Sequence, residues 1–64
     1  MKTGRKLQVL INNEWKYVFC RVEGKKLPIT TNNSNKAIRE KYGDGNRILE
    51  YFNEHYGNLK FRLI

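Results

Sequence analysis

The chain has 64 residues, with 13 Lys and Arg against 6 Asp and Glu, which gives a formal net charge of +7. A chain this short forms one small domain, so residues 1–64 leave no room for a catalytic domain beside a binding domain. Its aromatic and β-branched residues exclude a disordered polybasic tail. We therefore expect a single small basic globular domain.

The cysteine content and the lengths of the apolar runs indicate a compartment. Cys20 is the only cysteine, so it cannot form an intramolecular disulfide. No apolar run approaches the roughly 20 residues of a membrane span, and the first residues lack the pattern of a secretory signal. These features predict a soluble cytoplasmic protein.

Two strands joined by a turn are predicted first, at residues 7–11 and 15–22. A two-residue loop, Asn12-Asn13, would place Leu10 opposite Trp15, and the turn chemistry favours it. A three-residue loop would instead gather six large apolar side chains on one face: Leu7, Val9, Ile11, Trp15, Tyr17 and Phe19. We favour the longer loop, because a chain of 64 residues needs its large side chains for the core.

A short third strand and a first helix are predicted next. Residues 27–31 are β-rich, and Pro28 places that strand at an edge because proline cannot donate to a ladder. Ser34 is a suitable N-cap for a helix over 35–42, which Gly43 would end.

A second helix and a final strand complete the predicted fold. Residues 47–56 carry an apolar stripe at helical spacing, formed by Ile48, Leu49, Phe52 and Tyr56. Residues 59–64 alternate with period two, with Leu59, Phe61 and Leu63 on one face and Lys60 and Arg62 on the other. The fold class is therefore α+β, a small mainly antiparallel sheet (β-β-β-α-α-β) with two helices packed on one face.

Positive charge collects on the sheet face that the predicted helices leave free. That face carries Lys6, Lys16, Lys60 and Arg62, while Lys25 and Lys26 project from a hairpin tip. Phosphates attract such a surface through counterion release. The acidic residues interspersed along the chain make simple solubility an equally good interpretation.

Aromatic residues occupy every second position of the second strand, at Trp15, Tyr17 and Phe19. Rings on a sheet can stack with the bases of a single strand. We favour core packing for them, because the chain has few other large residues.

The longer-loop register also leaves apolar side chains on the outer face: Leu10, Val18, Cys20 and Val22. A solvated sheet face normally shows less apolar surface than this. Self-association as a homodimer, a protein partner or a nucleic acid would each cover it, and self-association is the least demanding.

No catalytic, metal or cofactor site is predicted. His55 is the only histidine, and no second ligand type is spaced with it and Cys20 in a metal-binding pattern. No Gly-rich phosphate loop follows a strand. We expect a protein that is not an enzyme and that needs no cofactor.

Several short segments resemble the three-stranded DNA-binding domains at the N-termini of phage-type integrases. They are Trp15 and Tyr17 in a strand, Gly24-Lys25-Lys26 at a turn, Thr30-Thr31, and Lys36-Ala37 at the start of a helix. The resemblance implies a sheet laid in the major groove of DNA. The helix and strand that follow Gly43 depart from the family's pattern.

The leading hypothesis is a non-catalytic nucleic-acid-binding module that acts through a basic sheet face and a hairpin. Its predicted phosphate contacts are Lys6, Lys16, Lys25, Lys26, Lys60 and Arg62. The alternative is a small protein-binding regulator of mobile-element or phage type, which docks through an apolar sheet face. The residues do not distinguish DNA from RNA.

Overall fold

The computed structural model describes residues 4–22, 24, 26–40 and 45–64. Its elements in chain order are β1 (Leu7–Ile11), β2 (Glu14–Cys20), β3 (Ile29–Thr31), a 3-10 turn (Ser34–Lys36), α1 (Gly45–His55) and β4 (Lys60–Leu63). The strands form one antiparallel sheet in the order β3-β2-β1-β4. The α+β class is confirmed, and β3 lies at an edge of the sheet, as Pro28 predicts.

A two-residue turn joins β1 to β2, so the predicted three-residue loop is wrong. Asn12 and Asn13 form this turn with positive φ values of 52° and 64°. Leu10 consequently pairs with Trp15. A turn with positive φ at both central residues matches the twist of the flanking strands, and Asn adopts that conformation more readily than most residues do. The turn geometry therefore outweighs the burial that the longer loop offers.

The register divides the strand residues between two faces, because paired residues share a face and successive residues alternate. The helix face, against which α1 packs, is formed by Leu7, Val9, Ile11, Val18, Phe61 and Leu63. The second face is formed by Lys6, Gln8, Leu10, Trp15, Tyr17, Lys60 and Arg62.

The core lies between α1 and the helix face. Leu7, Val9 and Val18 are fully buried there, and Phe52 and Tyr56 are 3% and 5% exposed. The apolar stripe predicted for this helix thus packs on the sheet, as expected. Val18 was predicted to lie on the outer face, and that placement is wrong because the shorter turn reverses the faces of β2.

The row of aromatics on β2 does not form the core that the sequence predicts. Trp15 and Tyr17 lie half-buried on the second face, and Phe19 is 45% exposed at an irregularity between Val18 and Cys20. The rings of Phe52, Tyr56 and Phe61 fill the core instead, with the Phe52 and Phe61 centroids 5.5 Å apart.

The first helix, predicted over 35–42, is replaced by the 3-10 turn and an extended segment. Asn33, not Ser34, caps the turn, since its side chain accepts from the backbone N–H of Asn35 at 2.9 Å. The N–H of Ile38 then donates to the carbonyl of Val18 at 2.8 Å, and its own carbonyl accepts from Leu7 at 2.8 Å. These bonds satisfy backbone groups of both central strands, which a helix would leave unpaired. Positions 41–42 of that prediction lie outside the described residues.

An ion pair joins this extended segment to the residues before β1. Arg5 Nε donates to Glu40 Oε1 at 2.8 Å, and Arg5 Nη2 donates to Glu40 Oε2 at 3.1 Å. Glu40 is 8% exposed. The hydrogen bond from Arg5 lowers the pKa of the Glu40 carboxyl, and the same bond raises the pKa of Arg5.

Candidate nucleic-acid interface

The second face carries three of the six basic residues predicted to contact phosphate. Lys60 pairs with Leu10, and Arg62 pairs with Gln8, so both project from β4 on that face. Both side chains are exposed. Lys6 lies two residues before Gln8 on the same face and is half-buried.

The other three predicted contact residues are not brought to this face. Lys16 pairs with the fully buried Val9, so it lies on the helix face and its predicted placement is wrong. Lys26 is exposed and lines a groove with Tyr56 of the helix side. Lys25 lies outside the described residues.

Arg39 joins this face, although the sequence places it in a helix. It forms an antiparallel bridge with Lys6, and Ile38 before it packs against the core. Since side chains alternate along an extended chain, Arg39 lies on the side of the second face. Its Nη1 donates to the Gly4 carbonyl at 3.2 Å, while its buried Nε has no partner among the described residues.

Arg62 lies across β1 and contacts Trp15 on the strand beyond. Its Cζ atom is 4.0 Å from the centroid of the Trp15 ring. Its Nε donates to Gln8 Oε1 at 2.8 Å, and Gln8 is 6% exposed. Guanidinium groups stack on aromatic faces with favourable electrostatics, so the ring and the amide together hold this cation in place.

Lys6 makes a looser contact of the same kind with Tyr17. The Lys6 Nζ atom lies 5.9 Å from the ring centroid, near the outer limit of a cation–π contact. The second face thus has two aromatic rings, each accompanied by a cation.

No described side-chain carboxylate lies on the second face. Glu14 pairs with Ile11 of the helix face, and Glu40 faces Arg5. Glu50 and Glu54 belong to α1, on the far side of the sheet. Among the described residues the face therefore carries cations without a compensating side-chain carboxylate, and these cations are Lys6, Arg39, Lys60 and Arg62.

The helix side has an arginine–aromatic group of its own, formed by Arg21, Tyr51 and His55. Arg21 Cζ lies 5.2 Å from the Tyr51 ring centroid, and Arg21 Nη1 is 3.3 Å from both ring nitrogens of His55. His55 is exposed. Tyr51 and His55 belong to α1, and this helix also carries the acidic residues Glu50 and Glu54.

Metal-ligand clusters and membrane-spanning helices are absent from the part of the chain that the structure describes. No three His, Cys, Asp or Glu side chains there come together as metal ligands. None of the described helices has the length and apolarity to cross a bilayer.

Comparison with known proteins gives no relative. No protein-family model, curated protein or solved structure matches the chain. The functional argument therefore depends on the geometry and charge of the second face.

Sequence reasoning missed Gln8, Trp15 and Tyr17 as residues of this face, and a signal for them was present. The pair Asn12-Asn13 favours a two-residue turn, and that turn alone determines which face Trp15 and Tyr17 occupy. No sequence signal of this kind indicated that Arg39 lies on the second face, because its position depends on long-range backbone pairing with β1 and β2.

Proposed function

We propose that the protein is a non-catalytic nucleic-acid-binding module and that the second face of its sheet is the binding surface. The observation that supports this is the grouping of Lys6, Arg39, Lys60 and Arg62 with two aromatic rings on a face that has no described carboxylate. The predicted contacts Lys16 and Lys26 are not part of the proposal, because they lie elsewhere.

Electrostatics accounts for most of the expected affinity. Lys and Arg that neutralise phosphates release condensed counterions, so the binding constant falls as salt rises. Each phosphate contact contributes about 0.7 to the slope of log affinity against log salt for a single strand, and about 0.9 for B-form DNA. With four cations on this face, a steep salt dependence is expected.

The test compares two charge reversals that alter the net charge equally. Lys60→Glu changes the second face, and Arg47→Glu changes an exposed position in the first turn of α1. Each variant lowers the formal net charge by two. Polarisation of a labelled oligonucleotide, measured over a range of salt concentrations, gives the affinity and the slope for both.

We expect Lys60→Glu to weaken binding and flatten the salt slope, while Arg47→Glu stays close to wild type. Equal losses for the two variants would mean that binding follows the net charge alone, and the face would be wrongly assigned. Absence of binding by the wild-type protein at low salt would contradict the function itself.

A protein partner is the second candidate, and an apolar groove beside β3 favours it. The groove has a volume of about 480 Å³ and is lined by Val22, Lys26, Leu27 and Ile29. Leu27 and Ile29 are 48% and 45% exposed. A partner with an apolar contact patch and an acidic rim would suit these side chains and the neighbouring lysine. This groove, not the second face, would be its docking surface.

The two candidates are separable by one variant. Leu27→Asp makes the groove polar and leaves the second face unchanged. If the module binds nucleic acid only, this variant keeps its oligonucleotide affinity. A protein captured by the wild-type chain after nuclease treatment, and lost with Leu27→Asp, would support the second candidate.

A further inference from the structure

We propose that the ligand is single-stranded and that one of its bases stacks on the guanidinium of Arg62, which is itself layered on Trp15. This inference depends on the proposed function and specifies the ligand class of the same face. The argument uses the restraint of Arg62, its unused hydrogen-bond donors, and the position of Lys60.

Arg62 is held by two contacts of different kinds. The Trp15 ring supports its guanidinium at 4.0 Å, and Gln8 Oε1 accepts from its Nε at 2.8 Å. Gln8 is itself 6% exposed at the centre of the sheet, so its amide is a fixed partner. A flexible arginine loses side-chain entropy when it binds a ligand, and a side chain that is already restrained loses less.

The restrained guanidinium still has its binding capacity. Arginine has five N–H donors, and Arg62 uses only the one on Nε. Its two Nη groups have no partner among the described residues, and the side chain is exposed. The surface away from Trp15 can therefore stack with a base, while the Nη groups reach a phosphate or a base edge.

Lys60 lies where a strand stacked on Arg62 would continue. The two residues project from the same face of β4, about 7 Å apart along the strand. No hydrogen bond or ion pair occupies the Lys60 ammonium among the described residues, and the side chain is exposed. A phosphate next to the stacked base is within reach of this cation.

Stacking on a side chain requires a base with a free face. In a duplex the base faces are covered by neighbouring base pairs, so a duplex would meet this surface through its phosphates and the base edges in its grooves, without a base face on which to stack. A single strand offers phosphates and open base faces together. A duplex laid on the sheet, as the integrase resemblance implies, would use the charge and the hydrogen-bond donors of Arg62, but none of its bases would stack on the guanidinium.

The direct test uses intrinsic fluorescence, because Trp15 is the only tryptophan in the chain. The wild-type protein is titrated at fixed low salt with short oligothymidine, oligouridine and a DNA hairpin duplex. We expect both single strands to alter Trp15 emission and to bind at least about fivefold more tightly than the duplex, since stacking of one base contributes roughly 1 to 3 kcal/mol.

Arg62→Lys separates stacking from charge. It retains the positive charge but loses the planar group and its contact with Trp15. We expect a loss of about fivefold or more in affinity for the single strands, measured by polarisation, with the duplex affinity nearly unchanged. Tyr51→Leu, which removes the ring beside Arg21 on the helix side, is the matched control and should leave both affinities unchanged.

The outcomes distinguish this inference from the proposed function. Equal affinity for duplex and single strand, or an Arg62→Lys variant that binds single strands like wild type, overturns the stacking inference and leaves nucleic-acid binding intact. Failure of every probe to bind at low salt overturns both. Circular dichroism of Arg62→Lys confirms that a change in affinity does not come from unfolding.

Discussion

The two faces of the sheet are built from the same strands and have opposite character. On the helix face, Leu7, Val9 and Val18 are fully buried beneath α1. On the second face, Lys60 and Arg62 are exposed, and only Gln8 is buried to a comparable degree. Because side chains alternate along a strand, a shift of the hairpin by one residue would move every side chain of β2 to the opposite face of the sheet.

The comparison also shows how the second face accommodates its aromatic rings. Full exposure of the large Trp15 and Tyr17 rings to water would lower the stability of the fold, and none of the described helices covers them. The charged ends of Arg62 and Lys6 lie over these rings instead, at 4.0 Å and 5.9 Å from the ring centroids. The side chains that shield the rings are thus the cations available for binding.

The largest predicted difference between the faces is in stability. Phe52→Ala removes a ring that is 3% exposed in the core, and it should lower the free energy of unfolding by about 3 to 5 kcal/mol. Trp15→Ala should lower it much less, because that ring is half-exposed. Urea denaturation followed by circular dichroism measures both. Equal losses would show that Trp15 belongs to the core after all.

A change at the hairpin turn tests the register that separates the faces. Asn13 has a φ of 64°, where a β-branched residue is strained. Asn13→Val should therefore destabilise the protein by about 1 to 2 kcal/mol, whereas Asn13→Gly should cause no loss. Thermal or urea unfolding checks this. If valine were tolerated as well as glycine, the two-residue turn would be incorrect.

A pair of charge reversals on the two strands that flank β1 sharpens the comparison further. Lys16 and Lys60 were both predicted to contact phosphate, but Lys16 lies on the helix face. Lys16→Glu should leave the salt slope of oligonucleotide binding unchanged, while Lys60→Glu should reduce it by about 0.7 for a single strand. Equal changes in the two slopes would contradict the assignment of phosphate binding to the second face.

The smallest predicted effect concerns the ion pair between Arg5 and Glu40, which lies outside the helix face and the second face. The lowered pKa of Glu40 means that its contribution to stability is present above the ordinary pKa of 4.5 and is lost as the pH falls through the lowered value. Glu40→Gln should therefore be less stable than wild type at neutral pH, and the gap should narrow in acid. Urea midpoints measured across that range test this. If the difference in stability between wild type and Glu40→Gln did not change with pH, ionisation of Glu40 would not contribute to stability in this way.

The sequence predicted elements whose patterns are local and strong. The helical stripe ending at Tyr56 and the alternation around Phe61 both lie where expected. The register was mispredicted because burial of Trp15 and Tyr17 was given more weight than the turn preference of two asparagines.

The segment after β3 could not be derived from local propensity. Its extended conformation comes from hydrogen bonds between Ile38, Leu7 and Val18, residues far apart in the chain. Arg39 reaches the second face only through that pairing. Half of the predicted contact set, Lys6, Lys60 and Arg62, was nevertheless correctly placed on that face, because their positions depend on alternation along the strands.

The most direct test of the central claim maps the bound oligonucleotide onto the protein by NMR. A titration of ¹⁵N-labelled protein with short oligothymidine should shift the backbone amides of β1 and β4 near Gln8 and Arg62, together with the indole N–H of Trp15. Amides on the exposed side of α1, such as those of Arg47 and Glu54, should not move. Shifts confined to α1, or to the groove around Leu27, would contradict the assignment of the second face as the binding surface.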